Sequence, residues 1–349
     1  MNINTQLTEN TKINTVDFNN LTFGRVFTDH MLVCDFKDGK WQTPEISPYA
    51  PISFEPSARV FHYGQAVFEG MKAFKDDNDD IFLFRPDENF NRLNKSAERL
   101  AMPPVPENVF FEGLKQLLKI DKDWIKKGLG NSLYIRPFII ATEGAIAASP
   151  ALEYKFIIIC SPAQAYYPGD VRVIFAQKYS RSADGGVGFA KAAGNYAAQF
   201  YPTSLAHKEG YQQIIWTDAN THEYLEEAGT MNIFFRVGDK LITAPNNDRI
   251  LDGITRKSII QIAKDNNIEV EVRRVSVAEI KEAAQKGELK EIFGSGTAAV
   301  INPIKGFKHD TDTFELPVLE KPYASIFKEQ LVNIQYNITE DKHGWRFKI

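Results

Sequence analysis

Gly185-Gly-Val-Gly-Phe-Ala-Lys-Ala-Ala-Gly-Asn-Tyr196 sets one lysine, Lys191, among small apolar residues, glycines and two aromatics, just ahead of a helical stretch. Burial at such a place disfavours the ammonium and leaves an amine able to attack an aldehyde. A flexible glycine loop with a solvated lysine is the other reading of the same residues. Two further segments bear on the choice. Leu225-Glu-Glu-Ala-Gly-Thr-Met-Asn232 sets carboxylates against a small-residue turn that leads into the apolar Ile233-Phe-Phe. A buried acid there needs a cationic partner, and a protonated pyridine nitrogen would be one. Phe293-Gly-Ser-Gly-Thr-Ala-Ala299 ends a strand in a turn whose composition exposes backbone N–H groups and hydroxyls to an anion. Taken singly, each also reads as an ordinary turn.

Other anion-seeking features lie on either side. Ile250-Leu-Asp-Gly-Ile-Thr-Arg-Lys257 is a loop entering a helix, where first-turn amides favour a phosphate, although a plain capped helix has the same look. Arg92 follows the apolar stripe of its helix, and Arg136 interrupts the apolar strand Leu133-Tyr-Ile-Arg-Pro-Phe138. An arginine so placed meets a carboxylate or phosphate, or sits at an edge with its head in water. The six histidines show no metal-ligand spacing, so no metal site is expected. GxSxG, GxxxxGK[ST] and GxGxxG are all missing, which sets aside the usual hydrolase, kinase and dehydrogenase classes.

At 349 residues the chain has room for about two domains. Its 43% hydrophobic and 25% charged content is that of a globular protein, with a surplus of aromatics in 25 Phe and 13 Tyr. Lys and Arg number 41 against 45 Asp and Glu, a net charge of −4 with no block of like charge, so neither nucleic acid nor an anionic membrane is an expected partner. Cys34 and Cys160 stand in apolar contexts, as small hydrophobes in a reducing compartment do. No apolar run approaches a membrane span, and the N-terminus lacks the pattern of a signal peptide; a cytoplasmic setting is expected.

The polar residues 1–20 read as a loosely ordered tail, and the Pro-Gly segment Ala165 to Asp170 is the candidate domain boundary. Strands are expected in MKAFK and IFLFR around the acidic loop Asp76 to Asp80, from Ser132 and from Tyr154, and at 171–177, 211–217, 231–237, 268–275 and 290–293. Helices are expected from Pro86 and near 195–208, 254–266 and 276–287, the last opened by the capping box Ser276-x-x-Glu279. Several strands follow one another without a helix between them, so a mixed α/β (α+β) architecture fits better than a doubly wound sheet.

Lys191, Glu227-Ala-Gly-Thr-Met-Asn232 and Gly294-Ser-Gly-Thr297 together resemble the fold type IV pyridoxal-phosphate enzymes, the D-amino acid aminotransferase-like fold. Among these the chain is most similar to the branched-chain amino acid aminotransferases. The likeness also runs through Leu21 to Met31, Phe68-Glu-Gly-Met-Lys-Ala-Phe74, Leu83-Phe-Arg-Pro86 and Ser132-Leu-Tyr-Ile-Arg-Pro137, covering roughly residues 21 to 340. The resemblance implies a homodimer in which pyridoxal 5'-phosphate is bound between a smaller N-terminal α/β domain (21–164) and a larger C-terminal domain (181–349), joined by an interdomain loop (165–180). It implies ping-pong amino transfer between leucine, isoleucine or valine and 2-oxoglutarate through a Schiff base on Lys191.

Carried over by motif, Glu227 rather than Glu226 meets the pyridine nitrogen, Tyr196 the ring hydroxyl, and Leu251 packs on the ring with Thr230 close by. Arg92, Ile254, Thr255 and Thr297 hold the phosphate. Phe23, Phe68, Tyr134, Tyr166 and Ala298 line the substrate side-chain pocket, with Tyr63 arriving from the second subunit. Arg136 reads the glutamate side-chain carboxylate, and the amides of Thr297 and Ala298 meet the α-carboxylate. Mammalian members carry a redox CxxC pair after the Gly-Thr-Ala turn, where this chain reads Ala299-Val-Ile-Asn302, so thiol regulation is not expected there. D-amino acid aminotransferases and aminodeoxychorismate lyases share the fold type and form the alternative. A non-catalytic small-anion binder is the reading from another class.

Overall fold

The computed structural model describes residues 1–164, 169–298 and 300–349. The chain forms two compact units, one of Met1–Tyr166, Ala190–Gly194 and Ile334–Ile349, the other of Tyr167–Phe189 and Asn195–Asn333.

The first unit is built on a sheet whose main path runs Asn4–Thr5, Glu45–Pro48, His30–Lys37, Tyr154–Ala163, Ser132–Ala141, Met71–Lys75, Ile81–Phe84 and Arg346–Lys348. The near-continuous apolar strand Tyr154–Ala163 lies inside it, paired antiparallel on both sides. Helix Glu107–Ile120 buries Phe110, Leu114, Leu117 and Leu118, a stripe at helical spacing. These share one core with Leu32, Phe156 and Ile158. Helix Pro86–Arg99 opens with proline in its first turn and buries Leu93 and Ala97.

Two expectations about this unit need correction. Residues 1–20 are more than a polar tail: Asn4–Thr5 pairs in parallel with Glu45–Pro48. The Thr11 hydroxyl and the Lys12 amide also donate to buried Asp29 at 2.6 and 2.9 Å. Nor does the chain divide by one cut at 165–180. Arg346–Lys348 pairs with Ile81–Phe84, and Ala192 forms a bridge with Val67, so hydrogen bonding draws both the C-terminal strand and the lysine segment into the first unit. Residues 165–168 of the boundary segment, Tyr166 among them, lie outside the described residues.

In the second unit the path is Val270–Val272, Lys240–Thr243, Asn232–Val237, Leu289–Gly296, Val300–His309, Val171–Phe175, Gln213–Thr217, Tyr224–Ala228 and Val275–Ser276. A further pairing of Tyr224–Ala228 with Asn232–Val237, through Glu227 opposite Asn232, closes six of these strands into a ring. Parallel and antiparallel neighbours mix, as in an α+β arrangement. Helix Val277–Gln285 begins at Ser276, whose hydroxyl accepts the Glu279 N–H at 3.0 Å, the capping bond read from the sequence. Among the described residues no helix is long and apolar enough to cross a membrane, and no group of His, Cys, Asp or Glu could hold a metal ion.

Candidate active site

In the first unit Lys191 is seated by its own backbone. Its N–H donates to Ser96 Oγ at 2.9 Å, and its carbonyl accepts the Phe68 N–H at 3.0 Å. The half-buried side chain then runs over Phe68, with Nζ 4.8 Å from the ring centroid. The next residue after Phe68, Glu69, is fully buried. It accepts from Arg92 twice, Nε to Oε1 at 2.7 Å and Nη2 to Oε2 at 2.9 Å, and from Asn89 Nδ2 at 2.7 Å. Burial alone would raise the Glu69 carboxyl, but the charge and hydrogen bonds of Arg92, the charge of Lys191 and the Asn89 bond outweigh it and hold it below its ordinary value. Asn89, Arg92 and Ser96 stand three and four residues apart, so helix Pro86–Arg99 presents all three on one face.

Tyr134 and Arg136 lie two apart on strand Ser132–Ala141 and share a face. Arg136 Nη2 donates to the Tyr134 hydroxyl at 3.0 Å, and its guanidinium lies 4.7 Å from the Phe68 ring centroid and 5.3 Å from that of Tyr134. Its Nε is buried with no hydrogen-bond partner. Phe23 meets Tyr134 edge-on at 5.0 Å. Gly70 allows this packing, because a Cβ there would fall 2.1 Å from the Tyr134 hydroxyl. The structure thus brings Phe23, Phe68, Tyr134, Arg136 and Lys191 into one chain of contacts. Tyr63 stands apart, exposed, on helix Arg59–Tyr63 with its hydroxyl donating to the Ile146 carbonyl.

In the second unit adjacent carboxylates turn to opposite sides of strand Tyr224–Ala228. Glu226 goes to Arg249, which also meets Asp184. Burial raises the Glu226 carboxyl even against that guanidinium. Glu227 accepts from Arg181 at 2.7 Å, from the Leu251 N–H at 3.2 Å and from Asn232 Nδ2 at 3.1 Å. Arg181 is itself fixed, donating to the carbonyls of Arg249 and Gly188 at 2.7 and 3.0 Å.

Asn232 Nδ2 also donates to the Leu251 carbonyl at 2.9 Å, and Gly253 presses so close that a Cβ would sit 1.8 Å from Asn232 Oδ1. Helix Ile254–Asp265 follows with Gly253 at its N-cap, no capping side chain and no acid in its first turn, and with Thr255 buried there. A helix start of this kind offers amides to an anion. Opposite Asn232 in the sheet lies Ser295, whose buried Oγ has no hydrogen-bond partner. Thr297 and Ala298 occupy the turn that follows, and Gly296 lies against the carbonyl of exposed Thr230. Tyr196 is half-buried near the start of helix Ala193–Lys208.

Six residues of these clusters carry no reading in the sequence: Glu69, Asn89, Ser96, Arg181, Asp184 and Arg249. Their partners lie far along the chain, and only the Glu of Phe68-Glu-Gly70, a charge next to an apolar strand, gives a signal that could have been read.

Residues 66–307 match the family described as amino-transferase class IV. A probable branched-chain-amino-acid aminotransferase of Staphylococcus epidermidis is 47% identical over 344 residues, covering 95% of this chain and 94% of its own. Branched-chain-amino-acid transaminase 1 of Bacillus subtilis is 47% identical over 293 residues, 82% of each chain. The solved branched-chain amino acid aminotransferase of Escherichia coli shares the fold with a TM-score of 0.72 at 25% identity, over 91% of this chain and 98% of its own. The chain belongs to the class IV aminotransferases, in the family of the branched-chain-amino-acid aminotransferases.

Proposed function

We propose that this protein moves an amino group reversibly between leucine, isoleucine or valine and 2-oxoglutarate, giving a branched-chain 2-oxo acid and glutamate. Class IV aminotransferases use pyridoxal 5'-phosphate, which supplies a carbonyl for the amine and a ring that takes up electrons from the substrate α-carbon. The residues present fit that group: an uncapped helix start and a buried, unpartnered Ser295 hydroxyl suit its phosphate, and Glu227 suits its ring nitrogen.

The observation that carries the reading is the seating of Lys191 over Phe68, within an aromatic set that contains one guanidinium, Arg136. Lys191 anchors the cofactor and afterwards moves the proton at the substrate α-carbon. Glu227, anchored by Arg181 and Asn232, holds a proton on the ring nitrogen, Tyr196 bonds the ring hydroxyl, and Leu251 supports the ring beside Thr230. Arg92, the amides of Ile254 and Thr255, and Thr297 grip the phosphate. Phe23, Phe68, Tyr134, Tyr166 and Ala298 accept the apolar side chain, Arg136 receives the carboxylate of glutamate, and the Thr297 and Ala298 amides receive the α-carboxylate.

The same reading makes the protein a cytoplasmic homodimer, with Tyr63 of the partner subunit completing the pocket. Phe61, Tyr63, Ile146 and Leu152, all large, apolar and exposed, support a covered surface on the first unit. The visible spectrum of the purified protein tests the substrate class. Bleaching by L-leucine and recovery with 2-oxoglutarate is expected; response to D-alanine but not to L-leucine would overturn it.

A further inference from the structure

We propose that Glu69 is a positioning residue for the cofactor phosphate, acting through Arg92, an inference that rests on reading Arg92 as a phosphate ligand. Glu69 is fully buried, and its two oxygens take the Nε and Nη2 edge of the Arg92 guanidinium. A fork pairing of this kind fixes the plane of the guanidinium as well as its position. The carboxylate is fixed in turn: Oε2 also accepts from Asn89 Nδ2 at 2.7 Å and from the Gly70 N–H at 3.1 Å, and the Glu69 N–H is held by the Pro137 carbonyl at 2.7 Å. Arg92 is therefore locked from a backbone position next to Phe68, the residue on which Lys191 rests.

A second link joins the same parts. Ser96 Oγ receives the Lys191 N–H and donates to the Arg92 carbonyl at 2.8 Å, so the lysine and the arginine share one scaffold. A lone buried carboxylate near a phosphate site would repel the ligand. Here Arg92 neutralises it. The net effect is an oriented guanidinium whose charge balances the carboxylate that orients it.

The test loads the full-length, cofactor-stripped protein with pyridoxal 5'-phosphate or with unphosphorylated pyridoxal and measures both affinities by absorbance. For Glu69→Gln the preference for the phosphorylated form falls roughly ten- to a hundredfold, the scale of one charge-assisted hydrogen bond, with pyridoxal affinity unchanged. Equal loss of both ligands, or no loss of either, overturns the proposal, since a merely structural tie would not discriminate them. Arg92→Ala separates the premise from the inference. If it leaves the preference intact, the phosphate reading of Arg92 fails and the proposal falls with it; if it removes the preference while Glu69→Gln does not, only the role of Glu69 fails. Should Glu69→Gln not fold, Asn89→Ala keeps the ion pair and removes one support. A smaller loss of preference in the same direction is then expected, and an unchanged preference overturns the proposal.

Discussion

Glu227 and Asn232 face each other across the pair of strands that closes the six-stranded ring, and the Asn232 side chain donates to the Glu227 carboxylate at 3.1 Å. The same amide reaches the Leu251 carbonyl at 2.9 Å, while the Leu251 N–H returns to Glu227. One asparagine thus couples the strand that carries the acid to the loop that starts helix Ile254–Asp265. Arg181 supplies the charge, and Asn232 supplies the direction.

Asn232→Asp tests this coupling with almost no change of shape. The substitution removes the donor shared by Glu227 and Leu251 and sets a second carboxylate beside the first. A stability loss of about 2 to 4 kcal/mol is expected, from unmade bonds at buried groups and like-charge repulsion. Urea unfolding of the two proteins checks it; an unchanged midpoint would show that the ring closes without this contact.

Lys191→Ala removes the amine proposed to carry amino transfer. Turnover should drop by more than about a thousandfold, in the range that loss of an acid–base group produces. The visible band of the lysine-held cofactor should vanish with it. Initial rates with leucine and 2-oxoglutarate decide the matter, and a rate within about tenfold of the parent would remove Lys191 from the centre of the reaction.

Features carried by local pattern were legible in the sequence. Ser276 caps the helix that its Glu279 announced, Pro86 opens its helix, and the strand from Tyr154 is buried as its apolar run implies. Alternation along a strand also told that Glu226 and Glu227 face opposite ways. Which of them meets Arg249 and which Arg181 depends on loops distant in sequence, and no periodicity encodes that. Arg92 illustrates the same limit. Its misplacement on an apolar helix signalled a buried anion, yet the anion in the structure is Glu69, a partner set by the packing of a helix against a strand end. The strand Asn4–Thr5 was illegible for another reason: it is polar and exposed, held by backbone pairing that any residue can make.

Arg136 should separate the two substrates of the pocket. Its Nε lies buried without a hydrogen-bond partner, its guanidinium packs against the rings of Phe68 and Tyr134, and a carboxylate would complete it. Arg136→Met keeps the length and removes the charge. The half-reaction with leucine should persist within a few-fold, while that with glutamate slows by roughly ten- to a hundredfold, the value of a charge-assisted bond. Single-turnover rates with each amino acid give the ratio, and equal slowing of both would leave Arg136 as packing.

Asp218 gives a pH dependence whose sign follows from its bonds. It joins strand Gln213–Thr217 to the turn before Tyr224–Ala228, and so fixes where the strand bearing Glu227 begins. Its carboxylate accepts the N–H groups of Asn220, Thr221, Glu223 and Tyr224 and the Thr221 hydroxyl. Burial would raise its carboxyl, but these donors carry it down from 3.8 to about 2. With the folded value below the unfolded one, the unfolded chain binds the proton first as acid is added. The stabilisation from Asp218 is therefore complete above about pH 4 and lost as the pH falls through about 2. Asp218→Asn cannot receive all these donors, and at neutral pH it should be less stable than the parent by about 1 to 3 kcal/mol. That gap should narrow progressively as the parent's carboxylate is protonated in the acid range. Urea midpoints of both proteins measured at about pH 7 and about pH 3 test the sign; a gap that widens in acid would mean that the turn is held by something other than the charge of Asp218.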